Sequence, residues 1–333
     1  MKFSAVFTLA ALIASPIVSA LPVQTPARRN VIMRRADVGD VPDVGFAAQA
    51  GPSLISYSTT GGSGGTTTTV TSLEELTAAV QGDDPKVVII DGTITGSEVV
   101  KVGSNTSVLG KAGSLLDGVG LRAYKVDNVI FRNIKIQKVL AEAGDAIGVQ
   151  EASKVWVDHC DLSSDRDHDK DFYDGLLDVT HGSTGVTLSN NYLHDHWKAS
   201  LVGHSDNNGD EDKALQVTYA NNFFENLNSR GPSFRFGTGH IFNNYYSGVS
   251  DGINTRDGAQ LLVENNVFVS SKKALYSTDE GFAVAKGNDF GDSENTAPEG
   301  TLTSVDYEYT LLDTAEVASS VQSSAGQTLD FSA

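Results

Sequence analysis

The 333-residue chain has a single cysteine, Cys160, so no intramolecular disulfide can brace its fold. It contains no C-x-x-C or H-E-x-x-H arrangement, which removes the common zinc frameworks; His194 and His196 at i, i+2 are a weak metal signal by themselves. Bases are scarce: 24 Lys and Arg stand against 42 Asp and Glu, for a net charge of −18. Nucleic acids and anionic membranes are bound by surplus cations that displace counterions, so both are excluded as partners. After the first twenty residues, no stretch approaches the roughly 18 apolar residues of a membrane span.

What is present begins with "MKFSAVFTLAALIASPIVSA", a basic n-region, an apolar core broken by Pro16 and small residues before a cut after Ala20. This pattern predicts a signal peptide at 1–20 and a secreted, extracellular protein. The dibasic pairs Arg28-Arg29 and Arg34-Arg35 predict a short pro-segment at 21–35 and a mature domain at 36–333. Loss of residues 1–35 would remove five bases and no acid, taking the net charge from −18 to −23. Any anion site must then be assembled locally. Asn105, in "SNTS", is the candidate N-glycosylation acceptor.

Six segments rich in β-branched and aromatic residues recur, each with a polar pair inside: "VIFRNIKI", "VWVDHCDL", "VTLSNNYL", "VTYANNFF", "HIFNNYY" and "LLVENNVF". Aligned on the first residue of the pair they give Asn133, His159, Asn190, Asn221, Asn243 and Asn265, spaced by 26, 31, 31, 22 and 22. A unit of about 22 residues built from short strands predicts an all-β, single-stranded parallel β-helix, a solenoid whose coils stack strand on strand. The second positions, Cys160, Asn191, Asn222, Asn244 and Asn266, would form a buried ladder and take the left-handed bends. Ser72 with Glu75 three residues on, before Leu73, Leu76 and Ala79, predicts an N-terminal capping helix closing the exposed end of the stack. The polar chain after Asp306 should pack back along the outside.

The two 31-residue intervals exceed the basic coil, and extra residues in a solenoid become loops on one flank, where function concentrates. The first holds "SSDRDHDKDFYDGLLD", with Asp174 and Asp178 four apart, and Asp145 lies about one coil earlier. Stacking would bring the three carboxylates together, where they repel unless a hard cation neutralises them; an all-oxygen set favours Ca²⁺. The second holds "HDHWKASLVGHSDNNGDED", with Lys198, and one coil later "RGPSFR" places Arg230 and Arg235 around a Gly-Pro turn.

With "VWVDHCDLS", "YDGLLDVTHGS", "DHWKASLVGHSD", "RGPSFR" and "NTRDGAQLLVENNVF" in this order from about Ile94 to Phe268, the chain resembles the secreted fungal pectate lyases. These are right-handed parallel β-helix enzymes, and the RxPxxR pattern of the family is complete. The resemblance implies that Asp145, Asp174 and Asp178 bind Ca²⁺, that Lys198 and Arg235 hold substrate carboxylates, and that Arg230 is the base. It implies β-elimination of polygalacturonate, the calcium-assisted cleavage of α-1,4-galacturonan in plant cell walls to 4,5-unsaturated products, by a monomer. An arginine base is chemically demanding because a guanidinium ordinarily titrates above about 12.

Three other readings fit less well. Pectin lyases, which act on the methyl ester without calcium, replace calcium-site acids by arginine and line the cleft with aromatics; here three aspartates stand and only Trp156 and Trp197 occur. A polygalacturonase would show NTD, DD and GHG elements, whereas this chain has "GHI" at 239–241 and a paired Asp83-Asp84 outside the repeats. A non-catalytic β-helix would have no need of Arg230 or the acids.

Overall fold

A computed structural model of the chain describes Met1, residues 29–49 and residues 58–331. It is a parallel β-solenoid. One sheet stacks ten strands in strict chain order, from Thr66–Val70 through Asp127–Arg132, Ser153–Asp158, Thr184–Ser189, Gln216–Ala220, Thr238–Phe242 and Gln260–Glu264 to Phe282–Lys286. The register aligns Arg132, Asp158, Ser189, Ala220, Phe242 and Glu264 on successive coils. Each precedes one of the six repeat positions by one residue, so the spacings of 26, 31, 31, 22 and 22 are coil lengths.

A larger sheet supplies the other walls. The long strand Leu115–Tyr124 joins its two halves, pairing through Leu116 with Ile136 of Lys135–Gln137 and through Leu121 with Ile147 of Ile147–Gln150. Inward-facing Val, Ile and Leu of all coils merge into one buried cluster. Within it Phe224, Tyr246 and Phe268 stack ring on ring at 4.7 and 4.2 Å. Burial of each such side chain stabilises by about 1.5–3 kcal/mol, which makes cysteine bridges unnecessary.

The polar pairs divide their labour differently from the sequence expectation. The first residue of each pair takes the left-handed bend, with φ between 49° and 59° at Asn133, His159, Asn190, Asn221, Asn243 and Asn265. The second residue forms the ladder: Asn191 Nδ2 donates to Asn222 Oδ1 (3.0 Å), Asn222 to Asn244 (2.9 Å) and Asn244 to Asn266 (2.9 Å). Each buried amide thereby has its donors and acceptor satisfied. The ladder extends one rung further, to Asn288 (2.9 Å), a coil hidden in the sequence because Gly287 stands where its neighbours have asparagine. Cys160 begins the ladder, its N–H donating to Asn191 Oδ1, and burial raises its thiol pKa, as an inert core residue requires.

The N-terminal end is closed as expected, with one adjustment. Helix α1 (Leu73–Ala79) covers the first coils with Leu76 buried, and Ser72 accepts from the Glu75 N–H. The reciprocal bond runs from the Thr71 N–H, which donates to the Glu75 carboxylate at 2.8 Å. After Asp306 the chain runs back along the outside, where Tyr309 donates to Glu264 and Tyr307 contacts His240, before helix α2 (Thr314–Ser324) buries Val317 and Val321 against Phe223 and Tyr245. Residues 2–28, where the sequence predicts a signal peptide, lie outside the described residues. Arg34–Arg35 pairs in parallel with Leu329–Asp330, and the Arg29 guanidinium lies 4.2 Å over the Tyr192 ring. Asn105 has φ 51°, its Nδ2 donating to Asp83 O and its Oδ1 accepting from Asn128.

Candidate active site

Strand register brings together most of the residues singled out from the sequence. Asp178 lies in the strand Leu177–Thr180, directly above Gly148 of Ile147–Gln150, the strand that Asp145 precedes by two residues. Asp174 enters from the loop before Asp178. Asp145 Oδ1 accepts from the Gly175 N–H (3.1 Å) and Asp178 Oδ1 from the Leu201 N–H (3.0 Å). Gly175 is required here: a Cβ on it would lie 2.5 Å from Asp178 Oδ1.

These carboxylates are poorly compensated. Burial raises the Asp145 pKa to about 6, Asp174 adds repulsion, and Arg122 and Arg230 only partly offset both. Burial likewise pushes Asp178 well above the ordinary range, reinforced by the charge of Asp145 and opposed by that of Arg230. Asp174 is more open and turns toward Lys198, whose Nζ is 3.4 Å from its Oδ1 and 3.3 Å from Asp171 Oδ1. Among the described residues no His, Cys, Asp or Glu cluster is drawn tightly enough to form a closed metal cage. The three carboxylates are neighbours in the field without being a closed shell.

The arginines are not equivalent. Arg230 stands in the turn before Ser233–Arg235 with φ 65°, and its guanidinium has no hydrogen bond or ion pair among the described residues. The Gly231-Pro232 peptide after it is cis. Arg235 is held by neighbours: Nε lies 2.5 Å from Asp206 Oδ1 and 3.5 Å from Asp257 Oδ2, and Nη1 donates to Gly203 O (3.0 Å). Gly203, at φ 77°, leaves the room: a Cβ there would lie 2.8 Å from that of Arg235.

Arg256 was not singled out beforehand, and His196 was weighed only as part of a weak metal signal. Arg256 lies directly over Arg235 on the next coil and shares Asp206 with it (3.2 Å). Its distance of 21 residues from Arg235, close to one coil, is the signal that would have found it. His196 is buried, and Nε2 must donate to Asp174 O (2.6 Å), leaving Nδ1 to accept from Ser164. Burial lowers its pKa to about 4, so it is a neutral brace for the Asp174 turn. His194 instead sits between Asp161 and Asp195, and His204 stacks on His181, so the three histidines do not converge. Two cavities of about 790 and 550 Å³ lie between the N-terminal segment and the returning tail and contain none of these residues. The carboxylates and arginines lie instead along the larger sheet, whose outer face is the candidate groove wall.

The family model for pectate lyase matches residues 8–328. The chain belongs to the pectate lyase family. Similar relatives include the probable pectate lyase A of Aspergillus niger, 60% identical over 96% of this chain and 97% of that protein, and pectate lyase A of Emericella nidulans, 61% identical over 94% and 95%. Among solved structures, a pectate lyase from a Bacillus species, in complex with trigalacturonate, superposes with a TM-score of 0.75 at 29% identity, covering 86% of this chain and 98% of that one. Pectate lyase II of Xanthomonas campestris gives 0.73 at 27% identity, covering 88% and 100%. Among the described residues no helix is long and apolar enough to cross a membrane.

Proposed function

We propose that this protein is a secreted pectate lyase that cleaves α-1,4-galacturonan by β-elimination, with Arg230 as the base. The observation that carries the reading is a guanidinium with no hydrogen bond or ion pair among the described residues, in the field of two buried carboxylates of raised pKa, in a chain of this family. Buried carboxylates that repel one another fit a hard dication, and Asp145, Asp174 and Asp178 are the oxygen ligands that would hold Ca²⁺. When bound, Ca²⁺ supplies positive charge that neutralises these acids and polarises a uronate carboxylate.

The remaining work falls to the chain itself. Lys198 and Arg235 exchange Asp171, Asp174, Asp206 and Asp257 for substrate carboxylates, as charge-assisted donors can. Neutral Arg230 takes the C5 proton of a galacturonosyl ring, and the electron pair moves to expel the C4 oxygen. The product is a 4,5-unsaturated end. Because a guanidinium must first lose its own proton, the rate rises with pH into the alkaline range. The first 35 residues are a signal peptide and pro-segment, Asn105 is the glycan acceptor, and the enzyme acts extracellularly as a monomer.

The test is the ultraviolet absorbance of the unsaturated product on polygalacturonate and on methylated pectin, with and without EDTA. EDTA-sensitive absorbance on the unmethylated polymer is expected. New reducing ends without that absorbance would mean hydrolysis, and EDTA-resistant cleavage of the methyl ester would mean a pectin lyase.

A further inference from the structure

The register of the larger sheet continues the groove wall beyond the carboxylates toward the N-terminal end of the solenoid. Lys101 of Thr93–Val102 pairs with Arg122 of Leu115–Tyr124, Arg122 with Gly148, and Gly148 with Asp178. These four residues form one outward column on consecutive coils. Gly148 contributes no side chain, and a Cβ there would sit 3.2 Å from Arg122 Nε, so the guanidinium lies across that coil toward Asp145 (4.0 Å). Beside it Tyr124 is a platform for two ammonium groups, with Lys101 Nζ 4.9 Å and Lys125 Nζ 5.2 Å from the ring centroid. Lys125 shares its charge with Glu151 (3.3 Å), whereas Lys101 is exposed and has no ion pair among the described residues.

A second cationic cluster at this place asks for an explanation in a chain of net charge −18. A polyanion laid along the sheet passes Arg256 and Arg235 first, then Arg230 and the aspartates. It leaves over Arg122 and Lys101, five coil steps from Arg235, about 24 Å at the strand spacing. Without cations at that end the acidic surface would repel the leaving segment.

From this juxtaposition we infer that Lys101 and Arg122, with Tyr124 positioning Lys101, form an additional anion subsite for a uronate carboxylate of a long galacturonan, on the N-terminal side of the aspartates. The inference rests on the function proposed above and extends its groove. Tyr124 restrains Lys101 by cation–π attraction, so the ammonium stays over the groove without being neutralised.

The test compares Lys101→Ala and Tyr124→Ala with wild type on trigalacturonate and on polygalacturonate. Three rings held at Arg230 and Arg235 do not reach Lys101. Each variant is expected to raise KM for the polymer about fivefold, with kcat unchanged and trimer kinetics unaltered. Lys111→Ala removes a lysine paired to Asp91 elsewhere on the surface and should leave polymer KM unchanged. Equal effects on trimer and polymer, an equal effect of Lys111→Ala, or no effect of Lys101→Ala would overturn the inference. If wild type releases no unsaturated product, the proposed reaction fails, and equilibrium binding of octagalacturonate still reads the subsite. Weaker binding by Lys101→Ala than by wild type supports it, and equal binding refutes it.

Discussion

Asp158 and Asp178 are both buried aspartates in strands of the same solenoid, yet their carboxyl groups are driven in opposite directions. Burial disfavours the charge of each. At Asp158 the penalty is outweighed: His159 Nδ1 (2.6 Å), Arg132 Nε (2.8 Å), Ser189 Oγ (2.8 Å) and Asn190 Nδ2 (2.9 Å) all reach it and hold its pKa well below the ordinary range. Asp178 has one backbone N–H and two acidic neighbours, and is pushed up. The first carboxylate is satisfied within the protein; the second has a single donor, and the proposed cation would supply the rest. What separates the structural acid from the proposed ligand here is the supply of donors, not depth.

The widest separation between the two should appear in catalysis. Asp178→Asn and Arg230→Lys should each lower release of unsaturated product at least about 100-fold. Arg230→Lys should retain calcium binding by isothermal titration, and comparable turnover in that variant would remove Arg230 as the base. Asp158→Asn should leave the rate per folded molecule within about twofold, read from initial rates normalised to active protein.

Stability should reverse the order. Asp158→Ala leaves Arg132 without its closest buried partner and should cost about 3–5 kcal/mol in urea denaturation, whereas Asp178→Asn in EDTA should be neutral or stabilising. Calcium narrows the difference: at about 100 times its Kd it should stabilise wild type by about 2.7 kcal/mol, and Asp178→Asn by much less, in thermal melts.

The smallest effect is in pH. The raised Asp145 pKa means that the folded, metal-free protein binds a proton more tightly than the unfolded chain, so stability falls as pH rises from the ordinary carboxylate value of 3.8 through about 6, with a slope of at most about 1.4 kcal/mol per pH unit. The lowered Asp158 pKa acts with the opposite sign, its stabilisation being present above 3.8 and lost on acidification below it. Urea midpoints in EDTA should show the first slope in wild type and lose it in Asp145→Asn.

Much of this architecture is legible residue by residue. The six aligned positions match the coil register because β-branched strands and left-handed asparagines are local, steric choices that recur wherever the backbone must bend. The two long intervals do flank the site, with the loop before Leu177 tied down by Trp197 Nε1 donating to His168 O. The Asn288 rung was obscured because Gly287 satisfies the same left-handed bend with no side chain to signal it. Arg230 and Arg235 are similar in the sequence; only tertiary contacts show that Asp206 and Asp257 engage Arg235, while Arg230 has no hydrogen bond or ion pair among the described residues.

Composition, repeat period and motif order by themselves determined a β-solenoid without disulfides and the chemical types available to its groove. Tertiary structure alone decided which of those groups share a field: that Asp178 lies over Gly148 beside Asp145, that Asp158 is fully bonded, and that Lys101 and Arg122 continue the Asp178 column. The reason is physical. Backbone bends and strand propensity act over a few residues, whereas charge, burial and hydrogen bonding depend on neighbours 20 to 31 positions away in the chain, and only coil register sets those distances.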